Sequence, residues 1–231
     1  MKKNRKISIL VSSVAVIGIL FLVSSQLGTN PSNSSLENND VINTSVERGY
    51  GTINALGLPI MGSPDAPVTI MVFVDYQCPG CRDWFLNIKP NITKNFIKTG
   101  KANMVFVDAK LVGDDSFKAA QATYCANEQG KYWEYQELLF TSQQGIDDGW
   151  ANPESLKVFA FDLELDIDLF ENCLDSGKYD KKVRFNAYEA KKNGLVKIPS
   201  FVLVNSEGGH HIIKGVATYS VFEKMIEFLT K

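Results

Sequence analysis

The sequence predicts an α/β fold in which a block of helices is inserted into a small, mostly buried sheet. A run rich in Val, Ile and Met at 68–75 is followed by apolar positions at helical spacing and then by a second strand-like run at 103–107. From 114–193 the apolar spacing is helical almost throughout, and two more strand-like runs and a helix close the chain. With 231 residues, 45% of them apolar, the chain is long enough for one such domain with a sizeable core.

The N-terminal part predicts export. Four of the first six residues are basic, and the run at 7–23 that follows is uncharged and strongly apolar. Its length lies between the core of a cleaved signal peptide, about 7 to 15 residues, and the roughly 17 to 25 of a membrane-spanning helix. We expect segment 1–25 to be a single anchor at the cell membrane with the rest outside, or, if cleaved, to leave a secreted protein. Segment 26–59, rich in Asn, Ser and Thr, is expected to be a flexible tether.

Charge argues against one class of partner. Without the four N-terminal basic residues, 20 basic residues remain against 26 acidic ones. An acidic body has no broad electrostatic attraction for phosphate backbones, so nucleic acid is not an expected partner.

The first part of the predicted domain, 60–112, contains a strand, a helix and a strand. The strand at 68–75 is apolar enough to be a central strand buried on both faces. A helix is expected beyond Cys78, because apolar residues follow at three- and four-residue steps: Phe85, Ile88, Ile92 and Phe96. Pro90 should kink or split this helix before the second strand begins.

The predicted helical insertion, 113–194, is divided into five helices. Polar residues suited to capping, in one case followed by proline, precede three of the five. These signals are Asp114, Asp115 or Ser116 for the first helix, Asn152-Pro153 for the third and Asp166 for the fourth. The other two helices are expected at 132–140 and 180–192, the latter stopped by Asn193-Gly194, a pair that suits a left-handed C-terminal cap.

The last part of the domain, 195–231, contains a predicted β-hairpin and a final helix. The hairpin joins strands at 200–204 and 211–214 through a turn at 207–209. The helix is expected to face inward with Phe222, Met225, Ile226 and Leu229. Without the helical insertion, the order of elements is that of a thioredoxin-type domain.

Two of the four cysteines form a C-P-G-C motif, Cys78-Pro79-Gly80-Cys81, where the first strand ends and a helix begins. The free N–H groups and the positive end of the helix dipole should stabilise a thiolate at Cys78, and one helical turn brings Cys81 within bonding reach. A thiolate is the species that attacks disulfides. The motif therefore predicts a redox-active disulfide as the reactive group, with no other cofactor and no metal.

Two other interpretations of this pair are an inert disulfide and half of a zinc site. Tetrahedral zinc needs two further ligands, and neither the remaining cysteines nor His210 and His211 form a second suitable close pair. In a strand the two histidines would point to opposite faces, so we expect an exposed hairpin tip that binds no metal.

Cys125 and Cys173 stand apart in predicted helices, and we expect a structural disulfide between them. Closing a loop of about 49 residues could stabilise the fold by up to about 4 kcal/mol in the chain-entropy model. The alternative, a second redox couple that exchanges with the first, requires a proximity that the sequence does not show.

With the motif in this position, the chain resembles the DsbA-like thiol–disulfide oxidoreductases, in particular their membrane-tethered, exported branch. The likeness covers roughly 60–231. Its segments are 62–70, 73–81, 125–135 and the Lys197-Ile198-Pro199-Ser200-Phe201 run. The C-x-x-C spacing alone is a moderate signal, whereas the surrounding run and the late proline make it specific.

The resemblance implies that Cys78 is the nucleophile, that Cys81 is the resolving thiol, and that Pro199 is a cis proline beside them. It places a substrate segment against Ile198, Pro79 and Gly80. A cis peptide there would present the backbone of Ile198 for pairing with an extended substrate. The implied partners are cysteine-containing exported proteins as substrates and a quinone-linked membrane protein as reoxidase.

One position departs from the family pattern. The buried carboxylate that thioredoxins carry six residues before the first cysteine is replaced by Val72, so proton transfer from Cys81 is unassigned. Asp75 is nearer in sequence and is expected at the strand end as a structural residue, with a catalytic role as the alternative; water is another candidate for the proton transfer.

The sequence therefore predicts an oxidant that introduces disulfides into exported proteins. A reductase or isomerase with the same chemistry is an alternative, because the direction depends on a reduction potential that the sequence does not supply. A non-catalytic thioredoxin-fold binding or chaperone module is the alternative from another functional class.

Overall fold

The computed structural model describes residues 57–231 and, N-terminal to them, two short strands, β1 (Ser45–Val46) and β2 (Ile53–Asn54), which pair antiparallel. The predicted anchor and most of the predicted tether lie outside the described residues. In the part that is described, no helix combines the length and apolar character needed to cross a bilayer. Leu58 belongs to the predicted tether by its position in the sequence. In the structure its side chain is buried and packs in the core of the domain.

A five-stranded mixed sheet forms the centre of the domain. The sequence predicts four of its strands, two from apolar runs and two from the hairpin pattern. It does not predict the fifth. The strands are β3 (Ile60–Met61), β4 (Val68–Val74), β5 (Ala102–Asp108), β6 (Ser200–Asn205) and β7 (His210–Lys214), in the spatial order β3-β5-β4-β6-β7. β4 and β5 are parallel, with Val68 opposite Ala102, and the other neighbours are antiparallel. All residues of β4 except Thr69 are buried, as expected of a central strand.

The helix that follows β4 is split, as predicted from Pro90. α1 (Pro79–Asn87) is followed by the short α2 (Lys89–Ile92), which has Pro90 in its first turn, and then by a π-helical turn at Thr93–Ile97. Each of these segments buries apolar side chains in the core. The last helix, α8 (Tyr219–Leu229), packs against β6 and α2.

Five helices form the insertion between β5 and β6. Their bounds are α3 (Ser116–Asn127), α4 (Tyr132–Ser142), α5 (Pro153–Asp162), α6 (Ile167–Asp175) and α7 (Asp180–Lys192). α3 is central and packs against the other four. Asn152 caps α5 by accepting the N–H of Ser155 at 2.8 Å, and Asp166 caps α6 by accepting the N–H of Leu169 at 3.0 Å. Gly194 has a φ of 65° after α7, the left-handed conformation expected there.

The histidine pair does not lie at an exposed hairpin tip, so that expectation was wrong. His210 and His211 belong to β7 and are half-buried. The strand begins earlier than predicted because the side chain of Asn205 accepts the N–H of Gly209 and tightens the turn before it. The ring of His211 packs against that of Phe228, with 5.1 Å between the ring centroids.

A buried polar cluster around Asp108 joins the sheet to the insertion. The carboxylate of Asp108, at the end of β5, accepts hydrogen bonds from the hydroxyls of Tyr76 at 2.8 Å and Tyr132 at 2.5 Å. Asn186 of α7 donates to the backbone carbonyl of Asp108 at 2.8 Å. Burial raises the pKa of Asp108 although these hydroxyls favour its ionised form. The cluster holds the chain just before the C-P-G-C motif against the helices.

Candidate active site

The C-P-G-C motif lies where the chain leaves β4 and enters α1. Cys78 is the N-cap residue, with an extended backbone (φ −82°, ψ 115°), and Pro79 stands in the first turn of the helix. The Sγ atom of Cys78 accepts the backbone N–H of Cys81 at 3.3 Å, in the place that a capping oxygen usually occupies. The first sulfur of the motif therefore faces the free N–H groups at the helix start, as the sequence predicts.

These surroundings lower the pKa of Cys78. The largest cause is the hydrogen bond that the thiol of Cys81 donates to it, and the backbone N–H groups of Cys81 and Gly80 act in the same direction. Burial of the sulfur and the negative charge of Asp75 oppose the shift without reversing it. Hydrogen bonds to the charged form thus favour a thiolate at Cys78.

The surroundings of Cys81, the second cysteine of the motif, raise the pKa of its thiol. Burial, the hydrogen bond to Cys78 and the charge on Cys78 raise the pKa of Cys81 well above its usual value. Both cysteines are free thiols, so the structure describes the reduced form. Cys78 keeps 7% of its surface exposed and Cys81 keeps none. Of the two cysteines, Cys78 alone therefore has surface open to another molecule.

The residues assigned to substrate contact surround Cys78. The Ile198–Pro199 peptide bond is cis and precedes β6. The Sγ atom of Cys78 lies 3.8 Å from the carbonyl oxygen of Ile198, to which a protonated thiol can donate. A side chain on Gly80 would begin 3.5 Å from Pro199 and 3.9 Å from the Cys78 sulfur, so the two segments are in close contact. Pro79 is exposed beside them.

Asp75 is fully engaged as a hydrogen-bond acceptor. One carboxylate oxygen accepts the N–H of Gln77 at 2.8 Å and the hydroxyl of Ser116 at 2.6 Å. The other accepts the N–H groups of Leu111 and Val112 at 2.7 and 2.8 Å. Burial raises the pKa of Asp75, and these hydrogen bonds counteract the increase. Four donors on one carboxylate favour a role in shaping the turn before Cys78.

Gln143, which no sequence pattern indicates, holds the motif from the side of the insertion. Its side-chain N–H groups donate to the carbonyl of Tyr76 at 2.5 Å and to that of Cys78 at 3.1 Å. Gln77 makes a second link, since its amide donates to Asp147 at 2.9 Å and accepts the N–H of the same residue. The residues joined by these bonds are more than 60 positions apart, and a glutamine after a helix carries no local signal of such a contact.

Arg82, the one cation next to the motif, is directed away from the sulfur chemistry. Its Nε donates to the carbonyl of Phe140 in α4 at 3.2 Å. The interactions that lower the pKa of Cys78 come from Cys81 and the helix backbone. Arg82 thus contributes a further link between α1 and the insertion.

Cys125 and Cys173 are joined by a disulfide that ties α3 to α6. Their Cα atoms are 5.7 Å apart, and both residues are buried. The bond lies within the insertion, on helices that do not carry the C-P-G-C motif. Among the residues that the structure describes, no group of three or more His, Cys, Asp or Glu side chains is arranged to hold a metal ion.

Comparison of the sequence with known proteins gives consistent matches. Residues 55–227 match the family model described as thioredoxin. Disulfide bond formation protein D of Bacillus subtilis is 28% identical over 192 residues, covering 80% of this chain and 84% of that protein. A probable disulfide bond formation protein D of Bacillus anthracis is 28% identical over 170 residues, covering 71% of this chain and 77% of that protein.

Solved structures give the same result for the fold. The crystal structure of oxidised BdbD from Bacillus subtilis matches with a TM-score of 0.68 and 28% identity, over 75% of this chain and 93% of that one. The crystal structure of Chlamydia trachomatis DsbA matches with a TM-score of 0.67 and 26% identity, over 77% of this chain and 93% of that one. These matches confirm the predicted α/β fold with its helical insertion.

Proposed function

Since the chain belongs to the thioredoxin family and is a DsbA-like thiol–disulfide oxidoreductase, we propose that it acts as an oxidant, which donates a disulfide between Cys78 and Cys81 to exported proteins. The observation that supports this direction is the contrast between the two sulfurs. Cys78 is reachable and has a lowered pKa, whereas Cys81 is buried and has a raised one. A stabilised thiolate stabilises the reduced enzyme, which makes its disulfide more oxidising.

The proposed reaction proceeds in two exchanges. A substrate thiolate attacks the Sγ atom of Cys78, the Cys78–Cys81 bond breaks, and Cys81 leaves as a thiolate that takes up a proton because its pKa is raised. A second substrate thiolate then attacks the substrate sulfur of the mixed disulfide. Cys78 leaves as a thiolate, which its lowered pKa favours. The substrate has lost two electrons to form its disulfide, and the enzyme has gained them as a thiolate and a thiol.

The segment at 196–199 is the proposed substrate site. The backbone of Ile198 lies next to the Cys78 sulfur, and Gly80 leaves room for close approach because it has no side chain. An extended substrate segment could pair with this backbone, with Pro79 exposed at its side. Pro199 closes the site against α1.

The finer proposals concern location and partners. The basic and apolar segment 1–25 supports export, with the domain outside a membrane anchor or released after cleavage. Substrates would then be cysteine-containing exported proteins. The reduced pair of cysteines must pass its electrons to an acceptor before the Cys78–Cys81 disulfide can form again. A membrane protein is the proposed acceptor, or reoxidase. The redox-active disulfide is the proposed reactive group, without a further cofactor.

Substitution of Cys81 by serine tests the mechanism. The mixed disulfide at Cys78 can then no longer be resolved by Cys81, so Cys81→Ser protein expressed in an exporting bacterium should accumulate disulfide-linked complexes with exported proteins. Cys78→Ser is the matched control and should accumulate none. Wild-type protein, oxidised beforehand, should in turn oxidise a reduced, unfolded protein.

Two results would contradict the proposal. Absence of trapped complexes with Cys81→Ser would indicate a non-catalytic binding module. Trapped complexes together with a reduction potential near that of thioredoxin, about −270 mV, would indicate a reductase.

A further inference from the structure

The outward face of α7 differs in charge from the rest of the protein. Six of its side chains are exposed, at the spacing of one helical face. They are Lys181, Arg184, Phe185, Tyr188, Lys191 and Lys192. The helix contains two carboxylates, of which Glu189 is buried and Asp180 is half-buried at the first turn. Four cations and two aromatic rings therefore stand together on a chain whose acidic residues outnumber its basic ones.

A groove between α7 and α3 interrupts this basic–aromatic face. Its volume is about 350 Å³, and Phe117 and Tyr188 contribute aromatic rings to its lining. Arg184 lies over the ring of Phe117, 4.6 Å from its centre. Lys110 is paired with Asp114, but neither Arg184 nor Lys191 has an ion pair with any residue that the structure describes. The groove thus offers two uncompensated cations beside apolar surface.

The chain enters the domain beside the same helix. Lys182 of α7 donates a hydrogen bond to the carbonyl of Gly57, the first residue of the continuously described part. Lys182 also lies over the ring of Tyr124, at 4.3 Å from its centre. Residue Gly57, where the continuously described part begins, is therefore held against α7, and the predicted anchor precedes it in sequence.

We propose that the basic–aromatic face of α7 docks on an anionic phospholipid surface, with a headgroup phosphate in the groove. Lysine and arginine are attracted to the negative surface of a membrane, and tyrosine suits the boundary between headgroups and hydrocarbon. A single basic face binds weakly, but attachment through the N-terminal segment raises the effective concentration of the surface. The exposed rings and the position of Gly57 favour a membrane over an acidic polypeptide as the occupant. The proposal is independent of the direction of electron transfer.

Lysine acetylation measured by mass spectrometry tests this docking on the full-length chain. The protein is reconstituted in vesicles of phosphatidylcholine alone or with phosphatidylglycerol added. Lys181 and Lys191 should react several-fold more slowly in the anionic vesicles, and high salt should remove the difference. Lys94 and Lys98, which are exposed on another segment, serve as internal controls and should react equally in both.

A paired variant sharpens the test. Arg184→Glu combined with Tyr188→Ser should abolish the protection of Lys181 and Lys191, whereas Lys94→Glu combined with Lys98→Glu should leave it unchanged. Equal reaction of the α7 lysines in the two kinds of vesicle would overturn the proposal. Protection by dissolved polyglutamate but not by anionic vesicles would also overturn it, in favour of an acidic polypeptide.

Discussion

The thiols of Cys78 and Cys81 are chemically identical and three positions apart, but their surroundings shift their pKa values in opposite directions. The sulfur of Cys78 accepts hydrogen bonds from the thiol of Cys81 and from the opening of α1, which favours its charged form. The sulfur of Cys81 is enclosed, and the neighbouring thiolate further disfavours a second negative charge. In the proposed reaction, this difference in pKa makes Cys78 the sulfur that attacks and leaves, and Cys81 the one that carries the proton.

Replacement of Cys81 separates the contribution of its thiol from that of the helix backbone. Cys81→Ala removes the side-chain donor, so the pKa of Cys78 should rise. Cys81→Ser keeps an O–H donor and should raise that pKa less. Ultraviolet absorbance of the thiolate during a pH titration of each variant measures the effect. Equal pKa values in the two variants would show that the side-chain hydrogen bond is unimportant.

The stability of the reduced protein should depend on pH in a defined direction. The folded-state pKa of Cys78 lies below its unfolded value, so folding favours the thiolate. This stabilisation is present above the unfolded thiol pKa, about 8.5, and is lost as pH falls through the lowered folded value. The raised pKa of Cys81 acts only above the ordinary thiol value, where it reduces stability with increasing pH.

Urea unfolding of the reduced and oxidised proteins at several pH values measures this effect. As pH rises from the folded-state pKa of Cys78 to its unfolded-state pKa, the free energy of unfolding of the reduced form should increase relative to that of the oxidised form. The increase should be at most about 1.4 kcal/mol per pH unit. The oxidised pair has no thiol to titrate and serves as the control. A difference that stays constant with pH would contradict the assigned acidity.

At the level of elements, the junction between β4 and α1 is supported by the helical insertion. Gln143, after α4, donates to the carbonyls of Tyr76 and Cys78 at the start of the motif, and Ser116, at the start of α3, donates to Asp75. The turn that carries the C-P-G-C motif is thus held from outside the thioredoxin-type part of the fold. We therefore expect changes in the insertion to alter the chemistry of the sulfurs.

Gln143→Ala should show this dependence. The carbonyl of Tyr76 loses its donor, whereas that of Cys78 still accepts the N–H groups of Cys81 and Arg82. The expected loss of stability is about 1 to 3 kcal/mol, the cost of one unpaired buried group. Hydrogen exchange in α1 and the reduction potential should change as well. Gln144→Ala, at the exposed neighbouring position, is the matched control and should change neither. A Gln143→Ala protein with wild-type stability and potential would refute the supporting role.

The elements differ in how well their sequence predicts them. Asn152, Asp166 and Asn193-Gly194 are local signals, because a cap or a left-handed residue depends only on its own helix end, and all three were located correctly. β3 has two residues and therefore no period to detect. Gln143 was missed because its partners are distant in the chain and only the folded structure brings them together.

At the scale of the whole molecule, two kinds of link hold the insertion in place. The cluster around Asp108 connects it to the sheet through Tyr76 and Tyr132, and the Cys125–Cys173 disulfide connects two of its own helices. The disulfide lies on α3, the helix that packs against all others of the insertion. We expect it to contribute to stability and not to redox exchange.

Replacement of Cys125 and Cys173 by alanine tests whether their disulfide contributes to stability and not to redox exchange. The bond closes a loop with a sequence separation of 48 residues, so its loss should destabilise the fold by up to about 4 kcal/mol in the chain-entropy model. Chemical denaturation measures this loss. The pKa of Cys78 and its rate of exchange should stay the same in the folded variant. A changed reduction potential with unchanged stability would instead support a second redox couple.

A titration of Cys78 in the reduced wild-type protein tests directly whether its thiolate is stabilised. Thiolate absorbance, checked by the pH dependence of alkylation at Cys78, gives the pKa of this sulfur. We predict a value clearly below the ordinary thiol value of about 8.5, with Cys81 protonated throughout the transition. A value at or above that of an ordinary thiol would show that the start of α1 and the Cys81 thiol do not stabilise a thiolate at Cys78.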